Sequence, residues 1–143
     1  MNTPSLTLVV DDDETTRFLT RRLLQRERMP GEVVEASNGQ QALELLQELC
    51  ASAQPPTPVL VLVDINMPVM NGLEFLHHQQ ALPTSCLQMM TTVVVSSSDA
   101  ASDKQRAQTL ASAYVTKPLT QPVLHQLVQQ HLASYGLANA SGH

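Results

Sequence analysis

Five consecutive apolar residues, Val59-Leu60-Val61-Leu62-Val63, lie between a proline-rich stretch and Asp64. All five are valine or leucine, and a run this short with no polar alternation predicts a strand buried on both faces. Strands of that kind belong to parallel sheets, whose crossovers lay helices on the two sides. The rest of the chain supplies matching elements. Leu6 to Val10 is a second short run, β-branched and Leu-rich, closed by Asp11-Asp12-Asp13. Glu14 to Arg28 carries Phe18, Leu19, Leu23 and Leu24 at helical spacing, with acid at its start, arginines toward its end and Pro30-Gly31 as a stop. Val33 to Ala36 predicts a strand, and Ser37-Asn38-Gly39 opens a helix bearing Ala42, Leu43, Leu45, Leu46 and Leu49.

After the loop from Ala51 to Pro58 and the central apolar run, Asn71-Gly72 begins a helix with Leu73, Phe75 and Leu76 that ends before Pro83. Val93 to Val95 predicts a fourth strand, ending at Ser96-Ser97-Ser98, and a polar helix covers 99–111, with Ser98 or Asp99 as a possible cap. Tyr114 to Thr116 is a fifth short strand, Lys117-Pro118 a turn, and Thr120 to Ser134 a last helix with Val123, Leu124, Leu127, Val128 and Leu132 inward. Five strands alternating with five helices make an α/β protein with a parallel sheet, and ligands bind such sheets at the carboxyl ends of the strands. We expect one domain over residues 5–135 and a small, polar tail over 136–143 that frays.

Composition narrows the function. A formal charge of -5 over 143 residues, without tryptophan, argues against direct nucleic-acid binding. Five of the eight basic residues, Arg17, Arg21, Arg22, Arg26 and Arg28, crowd one segment, which reads as a solvated helix face or a local positive face for an acidic partner. No apolar run is long enough to cross a bilayer, and no charged and apolar leader opens the chain, so a cytoplasmic location without membrane contact is expected. Cys50 and Cys86 have no metal-ligand spacing and are expected to be free thiols. His77, His78, His125 and His131 lack the spacing for a shared metal and are read as surface residues.

Chemistry gathers at the strand ends: Asp11, Asp12 and Asp13 after the first strand, Asp64 after the third, Ser96 after the fourth and Lys117 after the fifth. Carboxylates converging from two strands repel one another, and a hard divalent cation with oxygen ligands, magnesium above all, offsets this. Magnesium keeps waters and shares phosphate oxygens, so the site suits a phosphorylated ligand. One acid is free to cap the first helix.

Val9-Val10-Asp11-Asp12, Val63-Asp64-Ile65-Asn66-Met67-Pro68 followed by Asn71-Gly72, Val95-Ser96, and Tyr114-Val115-Thr116-Lys117-Pro118 together resemble the signature of response regulator receiver domains of two-component signalling. The resemblance spans nearly the whole chain. It implies a flavodoxin-like (βα)5 three-layer sandwich with a five-stranded parallel sheet of order 2-1-3-4-5. It further implies that Asp64 accepts a phosphoryl group from a histidine kinase or histidine phosphotransfer protein as an aspartyl phosphate. Mg2+ would be held by Asp12 directly, by Asp11 through water, by Asp64 and by the backbone carbonyl of Asn66, with Asp13 spare. Lys117 would bond the acceptor and then the phosphoryl group. Ser96 would be the switch hydroxyl and Tyr114 the aromatic that turns inward, changing the face formed by the 99–111 helix, the fifth strand and the last helix. A downstream protein, or a second copy in a homodimer, would read that face.

The resemblance is to stand-alone regulators, which are not enzymes beyond promoting their own phosphorylation and slow dephosphorylation. The segment from Ser96 to Lys117 is slightly shorter than the family's usual spacing and lacks a glycine near Ser112. Two other classes compete with this reading. One is a receiver-fold interaction module that works without phosphorylation. The other is a magnesium-dependent phosphatase, which usually carries a second acid two residues past its nucleophile, where this chain has Asn66.

Overall fold

Val59–Val63 (β3) forms the middle of a five-stranded parallel sheet, and all five of its residues are buried. The structure, a computed structural model, describes residues 6–52, 58–97 and 100–131. Around β3 the strands run in the order β2-β1-β3-β4-β5, with β1 at Leu6–Val10, β2 at Glu32–Ala36, β4 at Met90–Ser96 and β5 at Ala113–Thr116. This is the order that the resemblance implied, and the fold is flavodoxin-like.

Alternation along β3 explains the layers. Val59, Val61 and Val63 point to one side, where Leu8, Val10, Phe75 and Leu76 complete a core beneath α2 (Gly39–Cys50), α3 (Gly72–Gln79) and α5 (Ala101–Leu110). Leu60 and Leu62 point to the other, where they meet Val9, Val93 and Val95 together with Leu23 and Leu24 of α1 (Glu14–Arg26) and Leu124, Leu127 and Val128 of α6 (Gln121–His131). Three helix starts follow from local chemistry. The Asp13 carboxylate accepts from the Thr15 N–H, the Asn38 side chain from the Gln41 N–H, and Asn71 and Glu74 form a reciprocal capping box.

The structure corrects two expectations. There are six helices among the described residues, because the third predicted helix ends at Gln79 and Thr84–Leu87 forms a separate single turn, α4, before β4. Four residues are too few to show a helical period in sequence, and Pro83 masks the restart. The second correction concerns the cysteines: Cys50 and Cys86 are joined in a disulfide. Sequence spacing reveals metal ligands and small disulfide scaffolds, but not that the end of α2 and the turn before β4 meet at the amino-terminal edge of the sheet. The peptide bond Lys117-Pro118 is cis. The expected cap at Ser98 or Asp99, Leu132, Ser134 and the tail over 136–143 lie outside the described residues. No helix among the described residues is long and apolar enough to cross a membrane.

Candidate functional site

Strand register builds the site. Val10 pairs with Val63, so Asp11 and Asp64 leave neighbouring strands at the same level. The Asp64 N–H donates to the Val10 carbonyl at 3.0 Å, and the Asp11 N–H to the Ala36 carbonyl of β2 at 3.1 Å. Both carboxylates are buried, at 4% and 5% exposure, while Asp12 is exposed beside them. One oxygen from each of Asp11, Asp12 and Asp64 lies within 4.8 Å of the others.

Lys117 enters from the end of β5, its N–H bonded to the Ser96 carbonyl at 2.9 Å. Its Nζ lies 2.6 Å from Asp11 Oδ2 and 3.2 Å from Asp64 Oδ2. Burial would lower the lysine's pKa, but the hydrogen bond to Asp11 and the charges of Asp64 and Asp11 outweigh it and hold the ammonium above its ordinary value. Burial pushes the Asp64 carboxyl up; Lys117 pulls it back, and the neighbouring Asp11 raises it again. Three acids against one amine leave the pocket short of positive charge. An all-oxygen donor set this close together fits a hard divalent cation, so the residues present suit magnesium. Beside them opens a cleft of about 300 Å³, lined by Asp11, Thr16, Leu19, Asp64, Val95 and Lys117 among others.

The remaining expected residues fall around this cluster. The Asn66 N–H points to Asp64 Oδ1 at 3.4 Å, and its side chain is exposed. Ser96 is fully buried at the end of β4. Tyr114 is half-buried, packed on the α2/α3/α5 core, with Lys104 Nζ 5.8 Å from its ring centroid. Asp13 caps α1 and also accepts from Thr16 Oγ1 at 2.6 Å, a bond that holds its carboxyl below the usual range. Of the arginines, Arg17 and Arg21 pair with Glu35, and Arg22 lies over the Phe18 ring. His125 contacts Glu27 at 2.6 Å. The side chain of His131 lies outside the described residues.

Sequence reasoning missed three supports of the site. A Cβ on Gly72 would sit 2.2 Å from the Asp64 carbonyl oxygen, and the Gly72 N–H donates to the Ile65 carbonyl at 2.8 Å, so α3 starts in contact with the Asp64 backbone. Gly39 does the same for the following loop, its N–H bonding the Met70 carbonyl at 3.0 Å. In sequence Asn71-Gly72 reads as a helix start and as part of the signature motif, but not as a contact with the Asp64 backbone. Arg17, the third, donates from Nη1 to the Asp11 carbonyl at 2.6 Å.

The chain matches the family model described as response regulator receiver domain over residues 7–129. It is similar to chemotaxis protein CheY of Halobacterium salinarum, 29% identical over 127 residues, covering 89% of this chain and 96% of that protein. It is also similar to the nitrate/nitrite response regulator protein NarL of Escherichia coli, 40% identical over 73 residues; these are 51% of this chain and only 31% of NarL. Among solved structures, a two component response regulator from Cytophaga hutchinsonii superposes with a TM-score of 0.79 at 27% identity, covering 92% of this chain and 98% of that one.

Proposed function

The chain belongs to the response regulator receiver domain family, and from that premise we propose that Asp64 is its phosphoacceptor, fed by a histidine kinase or histidine phosphotransfer protein. The observation that carries this reading is the convergence of Asp64 with Asp11, Asp12 and Lys117. In the transfer, an Asp64 oxygen bonds to phosphorus as the bond from phosphorus to the donor imidazole nitrogen breaks. The imidazole, protonated on its other nitrogen, keeps the bonding pair and leaves as the neutral base, and an acyl phosphate remains. Lys117 bonds the Asp64 carboxylate before the transfer and passes to a phosphoryl oxygen as charge develops there. Magnesium, when bound by Asp11, Asp12, Asp64 and the Asn66 carbonyl, supplies the neutralisation of charge that such transfers depend on. Asp12 is the most open of the three acids, since Asp11 already accepts from Lys117 and from the Asp13 N–H.

The phosphoryl group then draws the Ser96 hydroxyl toward the site, and Tyr114 turns into the space vacated, changing the surface of α5, β5 and α6 that a downstream protein or a second copy reads. The domain spans 5–135 in this reading. A kinase-fed receiver also carries a cytoplasmic location with it.

The test is incubation with acetyl phosphate and magnesium, followed by intact mass. One labile phosphate on the wild type and none on Asp64→Asn is the expected result. No uptake by the wild type would leave a receiver fold working by binding alone, and steady hydrolysis of the donor without an adduct would favour a phosphatase.

A further inference from the structure

We infer that Arg17 is a positioning residue for the acidic cluster: by bridging Glu35 and the Asp11 carbonyl it fixes the peptide plane joining Asp11 to Asp12, and with it the aim of both carboxylates. The inference rests on the reading of that cluster as a divalent-cation site.

Arg17 lies in the first turn of α1, its N–H bonded to the Asp13 carbonyl at 3.0 Å. Helical side chains lean toward the helix amino terminus, which brings the guanidinium back over the loop of acids. Nη1 reaches the Asp11 carbonyl at 2.6 Å while Nε reaches Glu35 Oε1 at 3.0 Å. One turn later Arg21 takes the other oxygen, Glu35 Oε2, at 2.8 Å, and bonds the Val33 carbonyl at 3.2 Å. Burial would raise the Glu35 carboxyl, but the hydrogen bonds from Arg21 and Arg17 hold it below its usual range. The strut therefore runs from β2 through a fixed, ionised carboxylate to the end of β1.

Its end point matters because β1 stops at Val10. The sheet still holds the Asp11 N–H, through Ala36, but the Asp11 carbonyl goes to Arg17. A peptide unit is planar, so the orientation of that carbonyl sets where the chain carries Asp12. A planar guanidinium holds a carbonyl and a carboxylate at once in one rigid fork; a lysine ammonium also has several donors, but as a point charge on a flexible stem it does not fix their relative orientation.

A positioning role and a plain electrostatic role predict opposite results. As a mere positive charge, Arg17 repels a metal ion, so Arg17→Gln would tighten magnesium and Arg17→Lys would change nothing. As a positioning residue, both variants weaken magnesium, by about tenfold or more, as supporting partners of metal ligands commonly do. Magnesium titration of isotope-labelled protein, followed through the amide shifts of Asp12 and Asp64, reads the affinity without any phosphotransfer. Glu35→Gln, which keeps an acceptor but loses the charge, weakens it less and serves if an Arg17 variant fails to fold. A wild type that binds magnesium alongside folded variants within twofold of it, or tighter, overturns the inference alone. A wild type whose amides do not respond to magnesium overturns the cation reading and the inference with it.

Discussion

At the scale of single residues, Asp64 is held by contacts with its backbone as much as by its charged neighbours. Gly72 presses on the Asp64 carbonyl so closely that no side chain fits, its would-be Cβ lying 2.2 Å away. Gly72→Ala must therefore push α3 and the segment after β3 apart. Overpacking of a buried position costs typically about 1–3 kcal/mol. With Asp64 as the proposed acceptor, the shift also moves its carboxylate, and a displacement of about 1 Å at a reacting group can cost on the order of 100-fold in rate. The expected outcome is a folded but destabilised variant whose rate of phosphoryl uptake from acetyl phosphate falls by roughly tenfold or more. Thermal melting and timed intact-mass measurements on one preparation check both halves. Loss of stability with an unchanged rate would make the contact a matter of packing alone.

At the scale of elements, the switch assigned to Ser96 and Tyr114 can be followed because the chain has no tryptophan of its own. Tyr114 is half-buried between the core and Lys104 of α5, so an indole can occupy its place as the only fluorophore of its kind. In Tyr114→Trp, emission should shift to the blue on phosphorylation as the ring leaves water, and should stay fixed when Asp64→Asn is added. A phosphorylated protein with unchanged emission would remove this residue from the switch. The same scale shows what sequence makes legible. β3 was readable because its five residues leave no polar face, and Asn38 and Asn71 announced their helices because a capping side chain acts within three residues. Asp11, Asp12, Asp64 and Lys117 could be assigned to one pocket because parallel strands end at a common edge. α4 was not legible, since one turn has no period, and neither was the link from Arg17 to Asp11, since nothing in an arginine's spacing says which carbonyl it meets.

At the scale of the whole molecule, the two ends of the sheet do different things. Asp64 and Ser96 lie at the carboxyl ends of β3 and β4, whereas Cys50 ends α2 ahead of β3 and Cys86 precedes β4. The disulfide thus fastens the edge opposite Asp64, and it closes a sequence separation of 36 that contains β3, Asp64 and α3. Cross-linking a loop of that length removes unfolded-state freedom worth roughly 4 kcal/mol. For a domain of this size, reduction should lower Tm by roughly 10–15 °C. A cytoplasmic chain would meet such reduction routinely, because the glutathione and thioredoxin systems keep thiols reduced there. Because the link is remote from the pocket, phosphoryl uptake well below Tm should be the same in reduced and oxidised protein, and should diverge only as the reduced form begins to melt. Melting with and without dithiothreitol, beside Cys50→Ser, checks this: the variant should melt like the reduced wild type and ignore the reductant. Equal Tm values for oxidised and reduced wild type would show that the cross-link adds no stability, and a difference in uptake at low temperature would show that the two edges of the sheet are coupled.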